Sequence, residues 1–145
     1  MAGSLKRATK WRRGGCYFHL EPGNNSFVGG GFWGPDKDDL KRIRVELAND
    51  PKTFRKIIST ASFKKNFGEL KGVQLKTAPR DYPKDHPAID LLRYKQFLLY
   101  KTFTDKEVMA PGFAKKMSNA FKAMRPFFDY MSEILTHDLN GLPIK

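Results

Sequence analysis

Residues 14–35 constrain the fold of this chain more than any other segment. Two short runs of aromatic and β-branched residues flank the turn sequence Pro-Gly-Asn-Asn-Ser at residues 22–26. Strand-forming residues on both sides of such a turn are typical of a β-hairpin. The sequence therefore predicts an antiparallel hairpin close to the N-terminus.

Side chains alternate between the two faces of a strand, so the hairpin sequence also predicts which residues lie together. One face of the first strand is expected to carry Tyr17, His19 and Glu21. The other face is expected to carry Cys16, Phe18 and Leu20. In the second strand Phe27 and Trp33 share a face, and the three glycines at 29–31 indicate a bulge or a close approach to the backbone.

The rest of the chain predicts helices and one more strand. Asp36 and the Asp50-Pro51 pair are expected to begin two helices, the second with a stripe that ends at Ala61. Residues 96–103 have the composition of a β-strand. Residues 75–77 are expected to form a short stretch of strand pairing. The last helix is predicted over residues 111–135, with a kink or a split caused by Pro126.

These elements predict an α+β fold: a small antiparallel sheet built on the hairpin and packed against several amphipathic helices, including a long C-terminal one. Residues 1–13 are polar and basic without sustained periodicity, and they are predicted to be a flexible arm. Residues 14–145 are predicted to form a single domain, and a chain of this length is long enough to bury a hydrophobic core.

The chain is strongly basic. Its 27 Lys and Arg residues face 15 Asp and Glu residues, which gives a net charge of +12. Without the five cations that precede residue 14, 22 basic residues remain against 15 acidic ones. A basic domain attracts a polyanion or an acidic partner, and the alternative is a lysine-rich surface that only keeps the protein soluble.

A proline-rich loop over residues 77–95 is the second segment with functional character. Basic side chains are interspersed with two tyrosines along it: Arg80, Tyr82, Lys84, His86, Arg93, Tyr94 and Lys95. Such a mixture suits an anion, a nucleotide or single-stranded nucleic acid. The structural alternative is that Asp81, Asp85 and Asp90 pair with these cations and hold the loop in place.

Motifs for catalysis and cofactors are weak. Residues 29–34 satisfy the spacing G-x-G-x-x-G, but three acidic residues follow in the first helical turn and would repel a pyrophosphate. His19 and Glu21 are suited to acid–base or metal chemistry, but no paired spacing supplies a third ligand. The single cysteine, Cys16, is expected to be a structural thiol in a cytoplasmic protein. No cofactor, metal or membrane span is predicted.

Four blocks of sequence carry a family resemblance: residues 15–23, 29–33, 40–44 and 86–95. In this order they resemble the later part of the uncharacterised bacterial domain-of-unknown-function family 2461, over residues 13–135. Family members begin with a helical segment and the signature Arg-x-x-Arg-Asp-x-Arg-Phe, which this chain lacks. The resemblance therefore implies a truncated or naturally short member, incomplete relative to the family, and it implies no known activity.

For function, the sequence favours a cytoplasmic binding module for an anionic ligand over an enzyme. The candidate ligand-binding residues are Tyr17, His19, Glu21, Trp33, Arg80, His86, Arg93 and Lys95. One alternative is an enzyme, or a remnant of one, that uses His19 and Glu21. Another is a scaffold that needs the missing N-terminal segment. If such a segment is missing, exposed apolar residues predict a homodimer, either on the hairpin face with Tyr17 and Trp33 or on the last helix, at Phe113, Met117, Phe121, Met124 and Phe128.

Overall fold

The sheet is larger than the sequence predicts. The computed structural model describes residues 2–6 and 15–137. In this part of the chain a sheet has the strands β1 (Ala2–Lys6), β2 (Gly15–His19), β3 (Ser26–Phe32) and β4 (Phe97–Phe103). The strands follow the order β1-β2-β3-β4, and every neighbouring pair is antiparallel.

The helices mostly begin where the capping residues predict. They are α1 (Lys37–Asn49), α2 (Pro51–Ile58), α3 (Ala61–Phe67), α4 (Ile89–Leu92), α5 (Asp105–Met109) and α6 (Phe113–Thr136). The Asp36 carboxylate accepts the Asp39 N–H at 2.8 Å, and Asp50 caps α2 in the same way with Pro51 at its first position. The α+β prediction is confirmed.

The helices cover one face of the sheet. Val28 and Phe32 of β3 are buried on this face together with Met124, Phe127 and Phe128 of α6. A Cβ atom at Gly30 would lie 2.6 Å from the Met124 sulfur and 2.9 Å from the Phe128 ring. The absence of a side chain at Gly30 therefore lets α6 pack directly against β3.

The hairpin turn is tied to a helix far away in sequence. Gly23 and Asn24 both have positive φ, at 88° and 61°, as a tight turn requires. The Asp105 carboxylate accepts both of their N–H groups, at 2.9 and 3.0 Å, and the Asn24 side chain accepts the Asp105 N–H at 2.8 Å. The start of α5 thus fixes the end of the hairpin.

The structure bears on two predictions about the ends of the chain. Ala2–Lys6 form a strand rather than a flexible arm, because their backbone pairs with the edge of β2. Residues 7–13 lie outside the described residues. The last helix is continuous through Pro126 rather than split there, and a kink at this residue stays a prediction. Pro126 lies on the exposed side of the helix, where water can replace the lost backbone hydrogen bond.

Three smaller predictions also need correction. Ala61 begins α3 instead of continuing α2, because Thr60 caps a new helix there. The brief pairing falls at Lys71 and Gln74 rather than at residues 75–77. Met124 and Phe128 belong to the helix stripe that was one of the two predicted exposed surfaces, but they are 0% and 5% exposed because β3 covers them.

Candidate functional site

The sheet face opposite the helices carries a continuous cluster of aromatic rings. Register places Tyr17 beside Gly29 and Gly29 beside Tyr100, and it places His19 beside Phe27. Cross-strand partners project to the same face of a sheet. We call the surface formed by Tyr17, His19, Phe27, Trp33 and Tyr100 the aromatic face.

Neighbouring rings of the aromatic face contact one another. The Phe27 ring lies at the centre, with centroid distances of 5.6 Å to Tyr17, 5.5 Å to His19 and 5.9 Å to Tyr100. The Trp33 ring extends the cluster, 5.3 Å from Tyr17. All five side chains are half-buried, so their packing holds them in place while part of each ring remains accessible.

Gly29 makes room for these rings. A Cβ atom at Gly29 would lie 2.9 Å from the Tyr100 ring and 3.2 Å from the Tyr17 ring. The close approach to the backbone that the glycine run predicts is therefore confirmed, on both faces of β3. On the aromatic face it allows the two tyrosine rings to lie across the middle strand.

Tyr100 affects the pKa of its neighbour Tyr17 on this face. Partial burial, the hydrogen bond with Tyr100 and its nearby charge raise the pKa of Tyr17 to about 12. Tyr17 is therefore neutral at physiological pH and offers a hydrogen-bonding hydroxyl rather than a charge.

His19 and Glu21 approach each other at the turn end of the same face. The His19 Nε2 atom lies 3.6 Å from Glu21 Oε2, and the two side chains are 36% and 55% exposed. The predicted proximity of this pair is therefore present. Within residues 2–6 and 15–137, no three His, Cys, Asp or Glu side chains lie together in a way that could hold a metal ion.

One cation of the 77–95 loop holds the loop together. Arg93 donates from Nε to the Leu75 carbonyl at 2.7 Å and from a terminal nitrogen to the Lys76 carbonyl at 3.3 Å. Backbone hydrogen bonds from Leu75 to Arg93 and from Lys95 to Val73 run beside this contact. Arg93 therefore has a structural role that the sequence does not reveal.

His86 and Asp90 of the loop also have partners of their own. His86 accepts the Ala88 N–H at 3.0 Å and packs edge-on against Tyr82. Asp90 pairs at 2.7 Å with Arg55 of α2, not with a loop cation. In the described part of the chain, no hydrogen bond, ion pair or ring contact connects Arg80, His86, Arg93 or Lys95 with Tyr17 or His19.

One connection does link the loop region to the aromatic face. The Gln96 side chain donates to the Trp33 carbonyl at 3.0 Å and accepts the Val73 N–H at 3.2 Å. Close by in sequence, Lys71 forms an isolated antiparallel β-bridge with Leu98 of β4. On its other side, Leu98 pairs with Gly31 of β3. Because bridge partners share a face, the exposed Lys71 adds a cation to the edge of the aromatic face.

Sequence reasoning finds part of this surface. The predicted faces of Tyr17, His19 and Trp33 are correct, whereas Tyr100 and Lys71 are missed. The signal for Tyr100 was its place in the 96–103 strand segment, but only the register with β3 puts it beside Gly29. Lys71 has no local signal at all.

A family model matches this chain. The model, described as "Conserved hypothetical protein (DUF2461)", matches residues 1–130. The chain belongs to the DUF2461 family. No curated protein and no solved structure matches it. The aromatic face and all four strands of its sheet thus lie within the DUF2461 match. The absence of the family's N-terminal signature stays a prediction.

None of the helices in the described residues is long and apolar enough to cross a bilayer.

Proposed function

We propose that this DUF2461 protein binds an anionic ligand that carries aromatic rings, a nucleotide or a single-stranded nucleic acid, on its aromatic face. The observation that carries the proposal is the continuous ring cluster around Phe27, with centroid separations of 5.3 to 5.9 Å. Flat, half-exposed rings on an open sheet are suited to stacking with bases.

Charge supports the same ligand class. The chain carries a net charge of +12, and a field of this sign raises the local concentration of anions. Lys71 places one cation at the edge of the aromatic face. Phosphate groups would be held by such cations, while the bases stack on the rings, so affinity should fall steeply as salt rises.

The test compares a single-stranded oligonucleotide with an abasic oligonucleotide of the same length, by fluorescence anisotropy at low and high salt. Each base stacked on an aromatic side chain is worth about 1–3 kcal/mol, or roughly 5- to 150-fold in affinity. We expect Phe27→Leu to weaken binding of the base-bearing strand by this amount and to leave the abasic strand unaffected. The control is Tyr82→Leu, which removes a half-buried aromatic ring that packs against His86 rather than on the sheet.

Two results would reject the proposal. Equal affinity for the two oligonucleotides would mean that binding comes only from the diffuse positive field of the protein and not from stacking of the bases. Equal effects of Phe27→Leu and Tyr82→Leu would remove the aromatic face from the interaction. A mononucleotide, tested beside the oligonucleotide, distinguishes the two sources of the ligand: tight binding of the mononucleotide would assign a nucleotide site.

The distance of 3.6 Å between His19 and Glu21 favours a second candidate, an enzyme that uses this pair in acid–base or metal chemistry. If the pair binds a metal, purified protein should contain near-stoichiometric zinc or manganese by elemental analysis, and His19→Ala should remove it. We expect metal-free, folded protein, which leaves only the metal-independent form of this candidate.

A further inference from the structure

A second surface lies on the helix side of the sheet, away from the aromatic face. A groove of about 430 Å³ runs between β2 and the N-terminal half of α6. Its strand wall is Phe18. Its helix wall is one face of α6, formed by Ala114, Met117, Ser118, Phe121, Lys122 and Arg125.

The groove exists because α6 does not cover β2 fully. In β3 the inward residues Val28 and Phe32 are 0% and 8% exposed, whereas the inward Phe18 of β2 is half-buried. Phe18, Met117 and Phe121 all pack against the core cluster but remain partly accessible. The floor of the groove is therefore apolar and fixed.

The helix wall has the spacing of a helix-packing surface. Residues 114, 117, 118, 121, 122 and 125 follow the i, i+3, i+4, i+7 pattern of a single stripe. Two of the six, Ala114 and Ser118, are small, so a second helix can approach α6 closely at this end. Apolar side chains spaced along that helix would fit between Phe18 and Phe121.

The charge at the groove determines the chemistry of its occupant. Lys122 and Arg125 are exposed at the groove, and no acidic residue lines it. Neither cation forms an ion pair within the described residues. A helix that binds here must therefore carry acidic residues beside its apolar stripe.

We propose that this groove binds an acidic amphipathic helix of a partner protein. Its apolar residues at i, i+3, i+4 and i+7 contact Phe18, Met117 and Phe121, and its carboxylates pair with Lys122 and Arg125. This interaction is independent of ligand binding on the aromatic face.

The experiment uses three designed peptides and the ¹⁵N-labelled full chain. One peptide is an amphipathic helix of Leu and Glu, the second replaces Glu by Lys, and the third scrambles the Leu/Glu sequence so that no apolar stripe remains. We expect the Leu/Glu helix to bind at least about tenfold more tightly than the Leu/Lys helix, which loses the charge-assisted contacts, and than the scrambled peptide, which loses the apolar stripe. Its chemical-shift changes should fall on Phe18 and residues 114–125.

Charge variants then test the groove itself. Lys122→Glu with Arg125→Glu should weaken the Leu/Glu helix and strengthen the Leu/Lys helix. The matched control, Lys41→Glu with Lys52→Glu, makes the same change in net charge at exposed positions on α1 and α2. Equal effects of the two double variants would overturn the proposal, as would tight binding of the scrambled peptide.

Two further outcomes would assign the groove differently. Chemical-shift changes on the aromatic face would show that acidic peptides bind elsewhere. Sedimentation experiments test for a concentration-dependent dimer. If a dimer forms and Phe121→Glu abolishes it, the occupant of the groove is a second copy of this chain, and the proposed partner helix is wrong. Circular dichroism of each variant confirms that it is folded.

Discussion

Adjacent glycines in β3 provide a direct test of which face of the sheet meets the helices. Gly29→Ala and Gly30→Ala each add one methyl group, but on opposite faces. At Gly30 the new Cβ would lie 2.6 Å from the Met124 sulfur and 2.9 Å from the Phe128 ring, and both side chains are buried. At Gly29 the nearest atoms to the new Cβ would belong to the half-exposed rings of Tyr100 and Tyr17.

The difference in stability follows from whether these neighbours can move. Overpacking a filled core costs about 1–3 kcal/mol, so we expect Gly30→Ala to lose about this much. The rings beside Gly29 have solvent on their outer side and can shift more easily than a fully buried side chain, so we expect Gly29→Ala to cost less than Gly30→Ala, about 1 kcal/mol or less. Both substitutions reduce the conformational entropy of the unfolded chain, which stabilises the folded state by about 0.4–1 kcal/mol in each case. This contribution therefore cancels in the comparison.

Urea unfolding followed by circular dichroism measures both free energies. Thermal melts should agree, with a shift of about 2–4 °C for each kcal/mol in a chain of this size. If Gly30→Ala were as stable as Gly29→Ala, α6 would not pack against β3 at Gly30, and the assignment of the two faces would be refuted.

Three further predictions follow from single contacts. Arg93→Met should lower the free energy of unfolding by about 1.5–3 kcal/mol, because it removes the charged donor to the Leu75 and Lys76 carbonyls, while Arg80→Met should leave it unchanged in the same urea assay. Equal effects would show that Arg93 does not hold the loop. The Arg55 hydrogen bond lowers the pKa of Asp90, so this pair stabilises the fold at neutral pH and loses its effect as acid protonates the carboxylate. Asp90→Asn should therefore be less stable than the wild type at neutral pH, with the gap closing as the pH falls through the lowered pKa of Asp90, and a pH-independent gap would contradict this cause. Tyr100→Phe should lower the pKa of Tyr17 from about 12, measured by NMR titration of the tyrosine ring carbons; an unchanged value would mean that burial alone raises it.

Local signals account for the elements that were predicted correctly. The carboxylates of Asp36 and Asp50 each accept a backbone N–H within three residues, and the hairpin turn depends on the permissive backbone of Gly23. In each case the energetic cause lies within a few neighbouring residues. Such causes can be read from the sequence without knowledge of the tertiary structure.

Features that depend on distant partners could not be predicted. Ala2–Lys6 has no alternating apolar pattern and becomes a strand only because β2 offers an unpaired edge. Tyr100 joins Tyr17 through the register of β3 with β4, and Arg93 finds its carbonyl partners 17 and 18 residues away. The candidate site could therefore be predicted only in part. The sequence predicts the faces of Tyr17, His19 and Trp33, but it does not predict which rings and cations surround them.

Binding on the aromatic face is the central claim, and NMR of the ¹⁵N- and ¹³C-labelled protein tests it most directly. A single-stranded oligothymidylate is added at low salt, and the shifts of backbone and ring signals are followed. The account predicts the largest changes at Tyr17, Phe27 and Tyr100, with ring signals moved by the stacked bases. Changes confined to residues 77–95 or to α6, with the rings of the aromatic face unaffected, would contradict it.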